Sequence, residues 1–273
     1  MTLLEADATA APDVFALARQ ALSGKRIALL GFPHSITLEL TRVITDADGF
    51  TRSLSPQAVA PSSDVLKPFE IILLDIQAAA GTPWLEPETL RSVQDRCIAV
   101  SDLPALMRLA TDTSLAFREY WTCAAPAEEL LLRCVLGLRA GSQPGRRNVP
   151  LGSTVVLADD DASVTSIVRR VLERNGLICE IASAGRDALS LIAKVKPCAA
   201  ILDLEMPTMD GFEILSHMKC MAELAQTRVI LLTAREQEAD IIRGFSLGAD
   251  DYVCKPFNPM ELTIRLMRVL GRV

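Results

Sequence analysis

Through the second half of the chain, short unbroken apolar runs alternate with longer segments whose apolar residues recur at helical spacing. Val155-Val156-Leu157-Ala158, Ala199-Ala200-Ile201-Leu202, Val229 to Leu232 and Tyr252-Val253-Cys254 are of strand length, whereas Val164, Ile167, Val168, Val171 and Leu172 keep a 3.6-residue period. The pattern predicts strand 153–158, helix 162–175, strand 178–182, helix 185–195, strand 199–203, helix 211–224, strand 228–232, helix 235–247, strand 251–254 and helix 258–270. Such alternation implies parallel strands covered by helices on both faces. In a sheet of that kind ligands bind beyond the carboxyl ends of the strands.

What stands at those ends is polar. The first predicted strand leads into Asp159, Asp160 and Asp161, and the third ends in Asp203, followed by Glu205-Met206-Pro207. The fourth reaches Thr233, and the fifth Lys255-Pro256. A parallel α/β sheet would gather these carboxylates, a hydroxyl and an ammonium into one crevice. Asp161 reads as the N-cap of the following helix.

One composition break divides the chain. Residues 139–152, rich in glycine, proline and arginine with no apolar period, read as a linker between two pieces of similar length. A faint repeat relates them. One shift lays Gly31 on Asp159, Phe32 on Asp160, Arg42-Val43 on Arg170-Val171 and Leu74-Asp75 on Leu202-Asp203. A second, four residues longer, lays Ser101 on Thr233, Tyr120 on Tyr252, Cys123 on Lys255, Glu129-Leu130 on Glu261-Leu262 and Arg133 on Arg265. Both halves are therefore expected to share one fold, with domains at 24–138 and 153–273 after an extension at 1–23.

Composition narrows the class. A chain of 273 residues, half of them apolar, can bury two cores. Its net charge of −6 argues against direct nucleic-acid binding, which depends on clustered Lys and Arg. No apolar stretch approaches the ~20 residues of a membrane span. The acidic, alanine-rich start lacks the form of a signal peptide, and seven cysteines without a CxxC pair fit a reduced, cytoplasmic protein.

The set Asp159-Asp160, Asp203, Thr233 and Lys255-Pro256 at four strand ends resembles a receiver domain of two-component response regulators, and the resemblance covers 153–273. It implies a flavodoxin-like fold of five parallel strands. The faint repeat extends it to a tandem of two such domains. It also implies that Asp203 is the phospho-acceptor, Thr233 the switch hydroxyl, Tyr252 the switch aromatic and Lys255 the site lysine, with Lys255-Pro256 in cis. Carboxylates about 4.5 Å apart repel by roughly 3 to 4 kcal/mol at an effective dielectric near 20, so the site calls for a hard cation. Magnesium fits an all-oxygen set. Asp160, Asp203 and the backbone carbonyl of Glu205 are expected as direct ligands, with Asp159 acting through water.

By the same resemblance the phosphoryl donor is a histidine kinase or phosphotransfer protein, and the output is a change in the surface of the fourth helix, fifth strand and fifth helix. Asp250, Asp251, Glu261, Arg265 and Arg272 match the charged set through which some receivers pair. They predict a homodimer joining Asp251 to Arg265 and Asp250 to Arg272 across a two-fold axis. The first half keeps Asp75 but has Gly31 and Phe32 for the acidic pair and Cys123 for the lysine, so it resembles a degenerate pseudo-receiver with an interaction role. Asp75 is expected to cap a helix.

The chain is thus expected to accept a phosphoryl group without being a turnover enzyme. Because only Gly271-Arg272-Val273 follow the last predicted helix, two readings stay open: a regulator that signals by protein contacts, and the receiver portion of a longer one with a DNA-binding or cyclase output. A magnesium-dependent phosphatase of the haloacid type would want a second Asp two residues after the first, where Glu205 stands. A nucleotide-binding flavodoxin-like domain would want glycines where Asp159 to Asp161 lie.

Overall fold

The structure, a computed structural model, describes residues 14–54, 63–79, 87–102, 104–106, 117, 119–122, 127–139, 149–234 and 238–271. Most of the expected linker, at 140–148, lies outside them, as do Cys123 and Arg272.

The first half contains α1 (Val14–Leu22), β1 (Arg26–Leu30), α2 (His34–Asp46), β2 (Phe50–Leu54), α3 (Ser63–Leu66), β3 (Ile71–Asp75), α4 (Ile76–Ala79), α5 (Pro87–Val93), β4 (Cys97–Ser101), β5 (Glu119–Thr122) and α6 (Ala127–Arg139). The second contains β6 (Thr154–Ala158), α7 (Ala162–Arg174), β7 (Ile178–Ala182), α8 (Gly185–Val195), β8 (Ala199–Asp203), α9 (Gly211–Cys220), β9 (Arg228–Ala234), α10 (Glu238–Ser246), β10 (Asp251–Lys255) and α11 (Pro259–Val269). Each half forms one five-stranded sheet, in the orders β2-β1-β3-β4-β5 and β7-β6-β8-β9-β10, and every described pairing is parallel. These are two flavodoxin-like folds in tandem, as the repeat requires.

The runs β6, β8 and β9 are apolar because helices cover both faces. Val156, Ala200 and Leu231 point to one side and Val155, Ile201 and Ile230 to the other, and all are buried. Helix starts are fixed by the residues that precede them. Asp161 accepts from the amides of Ser163 and Val164 to cap α7, and Asp210 with Glu213 forms a reciprocal capping box on α9. The predicted helix at 211–224 ends at Cys220 and resumes as a 3₁₀ turn at Ala222–Leu224. Leu224 stays buried, so the apolar period runs on across a break in the backbone. β9 continues to Ala234, beyond the predicted 232, because Ala234 pairs with Lys255.

Two glycines bring the loop after β8 close to the strand ends. A Cβ on Gly185 would lie 1.9 Å from the Met209 carbonyl oxygen, and one on Gly211 would lie 2.5 Å from that of Asp203. Only glycine permits such backbone approach.

The halves are packed together. Leu132 of α6 belongs to the core cluster of the second half, and Ile264 of α11 belongs to a cluster of the first. These two residues occupy matching places in the repeat, so the helices exchange equivalent side chains between the halves. Helix α1, which falls in the expected extension, buries Ala18 and Leu22 in the first half, while Leu17 also touches the second.

Candidate functional site

Two strands of the second sheet deliver the acidic cluster. Asp159 directly follows β6 and is buried, Asp160 next to it is exposed, and Asp203 is the buried last residue of β8. One carboxylate oxygen from each falls within 4.8 Å of the others. At that spacing, two buried carboxylates repel by about 3.5 kcal/mol at an effective dielectric of ~20.

Lys255, ending β10, reaches into this repulsion. Its Nζ lies 2.7 Å from Asp203 Oδ2 and 2.8 Å from Asp159 Oδ2. Burial works against its charge, but the hydrogen bonds to Asp159 and Asp203 outweigh burial and raise its pKa above the ordinary lysine value. Asp203 is raised above the usual aspartate range, chiefly by burial, although Lys255 pulls the other way. Thr233 is buried on β9, opposite Cys254 in the register, two residues along from the Leu231–Tyr252 pair. The Glu205 amide lies 3.4 Å from Asp203 Oδ1, and Lys255-Pro256 is cis. The structure therefore brings Asp159, Asp160, Asp203, Thr233 and Lys255 to one end of one sheet. Three hard oxygen donors at this spacing suit a small divalent cation.

The matching place in the first sheet has different chemistry. Asp75 ends β3, but its Oδ1 accepts from the amides of Gln77 and Ala78 at 2.9 and 3.3 Å. It caps α4, as expected. Ser101 and Tyr120 are buried.

The expected dimer surface needs correction. Asp251 is fully buried and pairs with Arg133 of the first half, which also donates to the Tyr252 carbonyl at 3.3 Å. Arg268 reaches the other Asp251 oxygen at 3.0 Å and Glu119 at 2.7 Å. Arg265, assigned to a second copy, instead binds Glu261 at 2.6 Å and Glu129 at 3.2 Å. Asp250 stays within the second half, bonded to Arg228 at 2.7 Å and to the Val229 amide at 2.9 Å. Arg133 occupies in the first half the place of Arg265 in the second, so Asp251 pairs with an arginine of the chain's own first half in place of the expected Arg265 of a second copy.

This cluster electrostatically binds the halves. Burial opposes the charge on Asp251, but Arg133, Arg268 and Arg265 hold it well below the usual aspartate range. Burial raises Glu119 despite Arg268. Glu119, Glu129, Arg133 and Arg268 were not singled out as a set by the sequence. The alignment of Glu129 with Glu261 and Arg133 with Arg265 carried the signal, because a repeated dimer face can close on its own copy.

Residues 155–267 match the family described as the response regulator receiver domain. Response regulator MprA of Mycolicibacterium vanbaalenii is 38% identical over 118 residues, covering 43% of this chain and 50% of that protein. The alkaline phosphatase synthesis transcriptional regulatory protein PhoP of Bacillus subtilis is 33% identical over 122 residues, covering 45% and 50%. Among solved structures, chemotaxis response regulator CheY4 of Vibrio cholerae is 32% identical with a TM-score of 0.42, covering 44% of this chain and 99% of that one. The chain spans about half the length of the curated relatives it matches. Among the described residues, no helix is long and apolar enough to cross a membrane. With its acidic cluster and lysine at the strand ends, the segment 155–267 is a response regulator receiver domain.

Proposed function

We propose that the chain is a phosphorelay response regulator that takes a phosphoryl group onto Asp203 from a histidine kinase or phosphotransfer protein. The observation that carries this reading is Lys255 Nζ held between Asp159 and Asp203 beside the exposed Asp160. An Asp203 oxygen attacks phosphorus as the bond from phosphorus to the donor nitrogen breaks, and the electron pair leaves on the donor imidazole. Asp160 and Asp203, with the Glu205 carbonyl and with Asp159 through water, would hold magnesium, whose charge offsets that of the phosphoryl oxygens. Lys255 supplies a fixed positive charge to those oxygens. The Thr233 hydroxyl donates to the phosphoryl once it is attached, and its movement is read out by Tyr252.

The first half, at 24–138, acts in this reading as a pseudo-receiver. Gly31 and Phe32 supply no carboxylates there, and Asp75 is engaged as a cap. The second unit, at 153–273, holds the phosphoryl chemistry. Acetyl phosphate and magnesium should add one phosphate per chain by intact mass, lost in Asp203→Ala and kept in Asp75→Ala. Wild-type levels of phosphate on Asp203→Ala would overturn the assignment.

A further inference from the structure

The receiver's expected output surface is covered by the chain's own first half. Arg133 is the centre of that cover. It is fully buried, and its guanidinium carbon sits 4.3 Å from the centroid of the Tyr252 ring. On another side Phe245 meets the same ring edge-on, with centroids 5.7 Å apart. Tyr252 is 1% exposed, and its hydroxyl has no hydrogen-bond partner among the described residues. The backbone around it is pinned as well. Arg133 bonds to the Tyr252 carbonyl and to Asp251, whose Oδ1 also accepts from the Tyr252 amide at 2.7 Å. The same short strand ends three residues after Tyr252 in Lys255 at the acidic cluster.

A partner shifts a conformational equilibrium only by binding one state better than the other. The docked first half meets that condition. Its contacts to the Tyr252 ring, the Tyr252 carbonyl and Asp251 are all made to one placement of this residue, in which Lys255 on the same strand is bonded to Asp159 and Asp203. A Tyr252 that moves must give up the Arg133 contacts and disturb an ion cluster that also includes Arg268, Glu119, Glu129 and Arg265.

We propose that the first half is an intramolecular latch on the receiver: Arg133, with Leu132 and Glu129, holds Tyr252 in the unphosphorylated arrangement, so that occupancy of Asp203 and docking of the first half oppose one another. The proposal rests on Asp203 being the acceptor, and it assigns the pseudo-receiver its partner, the face of α10, β10 and α11 in the same chain. Linkage is reciprocal, so a phosphoryl mimic should loosen the latch and a weakened latch should favour the mimic equally. Arg133 is a positioning residue in this scheme, since it touches no reacting atom.

The test uses the full chain with magnesium and beryllofluoride. Binding is read by fluorine NMR, and docking by hydrogen exchange over residues 119–122, 129–135, 251–254 and 262–268. Saturation should speed exchange in those segments at least about tenfold, and Arg133→Gln and Glu129→Gln should each bind beryllofluoride about 5- to 50-fold more tightly than wild type. Arg133→Lys, which keeps the charge, should fall between. Glu129→Gln removes no buried cation, so it serves if Arg133→Gln does not fold. Beryllofluoride that binds wild type while interface exchange stays unchanged or slows, or variants that bind with wild-type affinity, would overturn the latch and leave the acceptor intact. Binding to neither wild type nor variants would instead overturn the acceptor reading, and the coupling with it. Binding only to the variants is the strongest form of the result expected.

Discussion

Replacing Arg133 with methionine should separate the two halves energetically. The substitution keeps most of the apolar length of the side chain and removes its five donors. Asp251 then loses the charged partner at its Oδ1, keeping there only the Tyr252 amide, and Glu129 loses a contact at 3.2 Å. Removing one member of a buried pair typically costs about 3 to 5 kcal/mol, because the remaining charge stays desolvated. The low end, about 3 kcal/mol, is expected here, since Arg268 still reaches Asp251 at 3.0 Å. The cation–π contact with Tyr252 belongs to the same side chain and is not an independent addition. At a urea slope of about 3 kcal/mol per molar, this lowers the midpoint by about 1 M. The loss should be shared with Asp251. In a double-mutant cycle, Arg133→Met with Asp251→Asn should be less destabilised than the sum of the single variants by at least about 1.5 kcal/mol. Because the damage lies between the halves, one unfolding transition should become two. A cost below about 1 kcal/mol, or a cycle that closes without coupling, would refute the reasoning.

Other consequences are measurable in the same chain. Asp160→Asn should raise the melting temperature in metal-free buffer by relieving carboxylate repulsion and should abolish magnesium-dependent stabilisation; magnesium titration at native affinity would contradict this. Ile264→Ala, which empties a place in the first half's core from the second half, should cost about 2 to 4 kcal/mol in denaturant unfolding and raise exchange near Phe117 and Tyr120. Gly211→Ala should slow phosphorylation by acetyl phosphate, because the new Cβ meets the Asp203 carbonyl at 2.5 Å; a wild-type rate would show that the loop yields freely. For pH, Asp251 is held below its unfolded value of about 3.9, so its contribution is present above that pH and lost as pH falls toward the folded value. Glu119, raised in the same cluster, contributes with the opposite sign, so the measurement is the difference between wild type and Asp251→Asn: the stability gap should close below pH ~4. A gap that persists unchanged down to pH 2 would contradict the assigned charge.

Much of the second half was legible because its signals are local. Apolar runs bounded by Asp159, Asp203, Thr233 and Lys255 define both the strands and the crevice, since strand ends and ligand positions coincide in a parallel sheet. The first half was legible as a fold through the repeat, but its role was not. Glu119, Arg133 and Arg268 read one by one as ordinary charged residues; only the joining of two sheets buries them. The expected pairing of Asp251 with Arg265 needed correction for the same reason. Asp251 and Arg265 carry the pairing chemistry in sequence, whereas the choice between a second molecule and the chain's own first half depends on tertiary packing. The end of α9 at Cys220 was hidden because burial of Leu224 continues a helical period through a backbone that is no longer helical.

The Arg133–Asp251 pair is formed within one polypeptide, and this changes its dependence on abundance. Contacts between separate copies grow with concentration and dissolve on dilution, but tethered surfaces face each other at a fixed effective concentration, about millimolar for short flexible connections. The strength of this contact is therefore the same in a cell holding ten copies of the protein or ten thousand. The duplication also frees each side from self-complementarity. A substitution in a symmetric homodimer appears twice at the interface, whereas Glu119 and Asp251, or Leu132 and Ile264, can each change alone, so this joint can be tuned one side at a time.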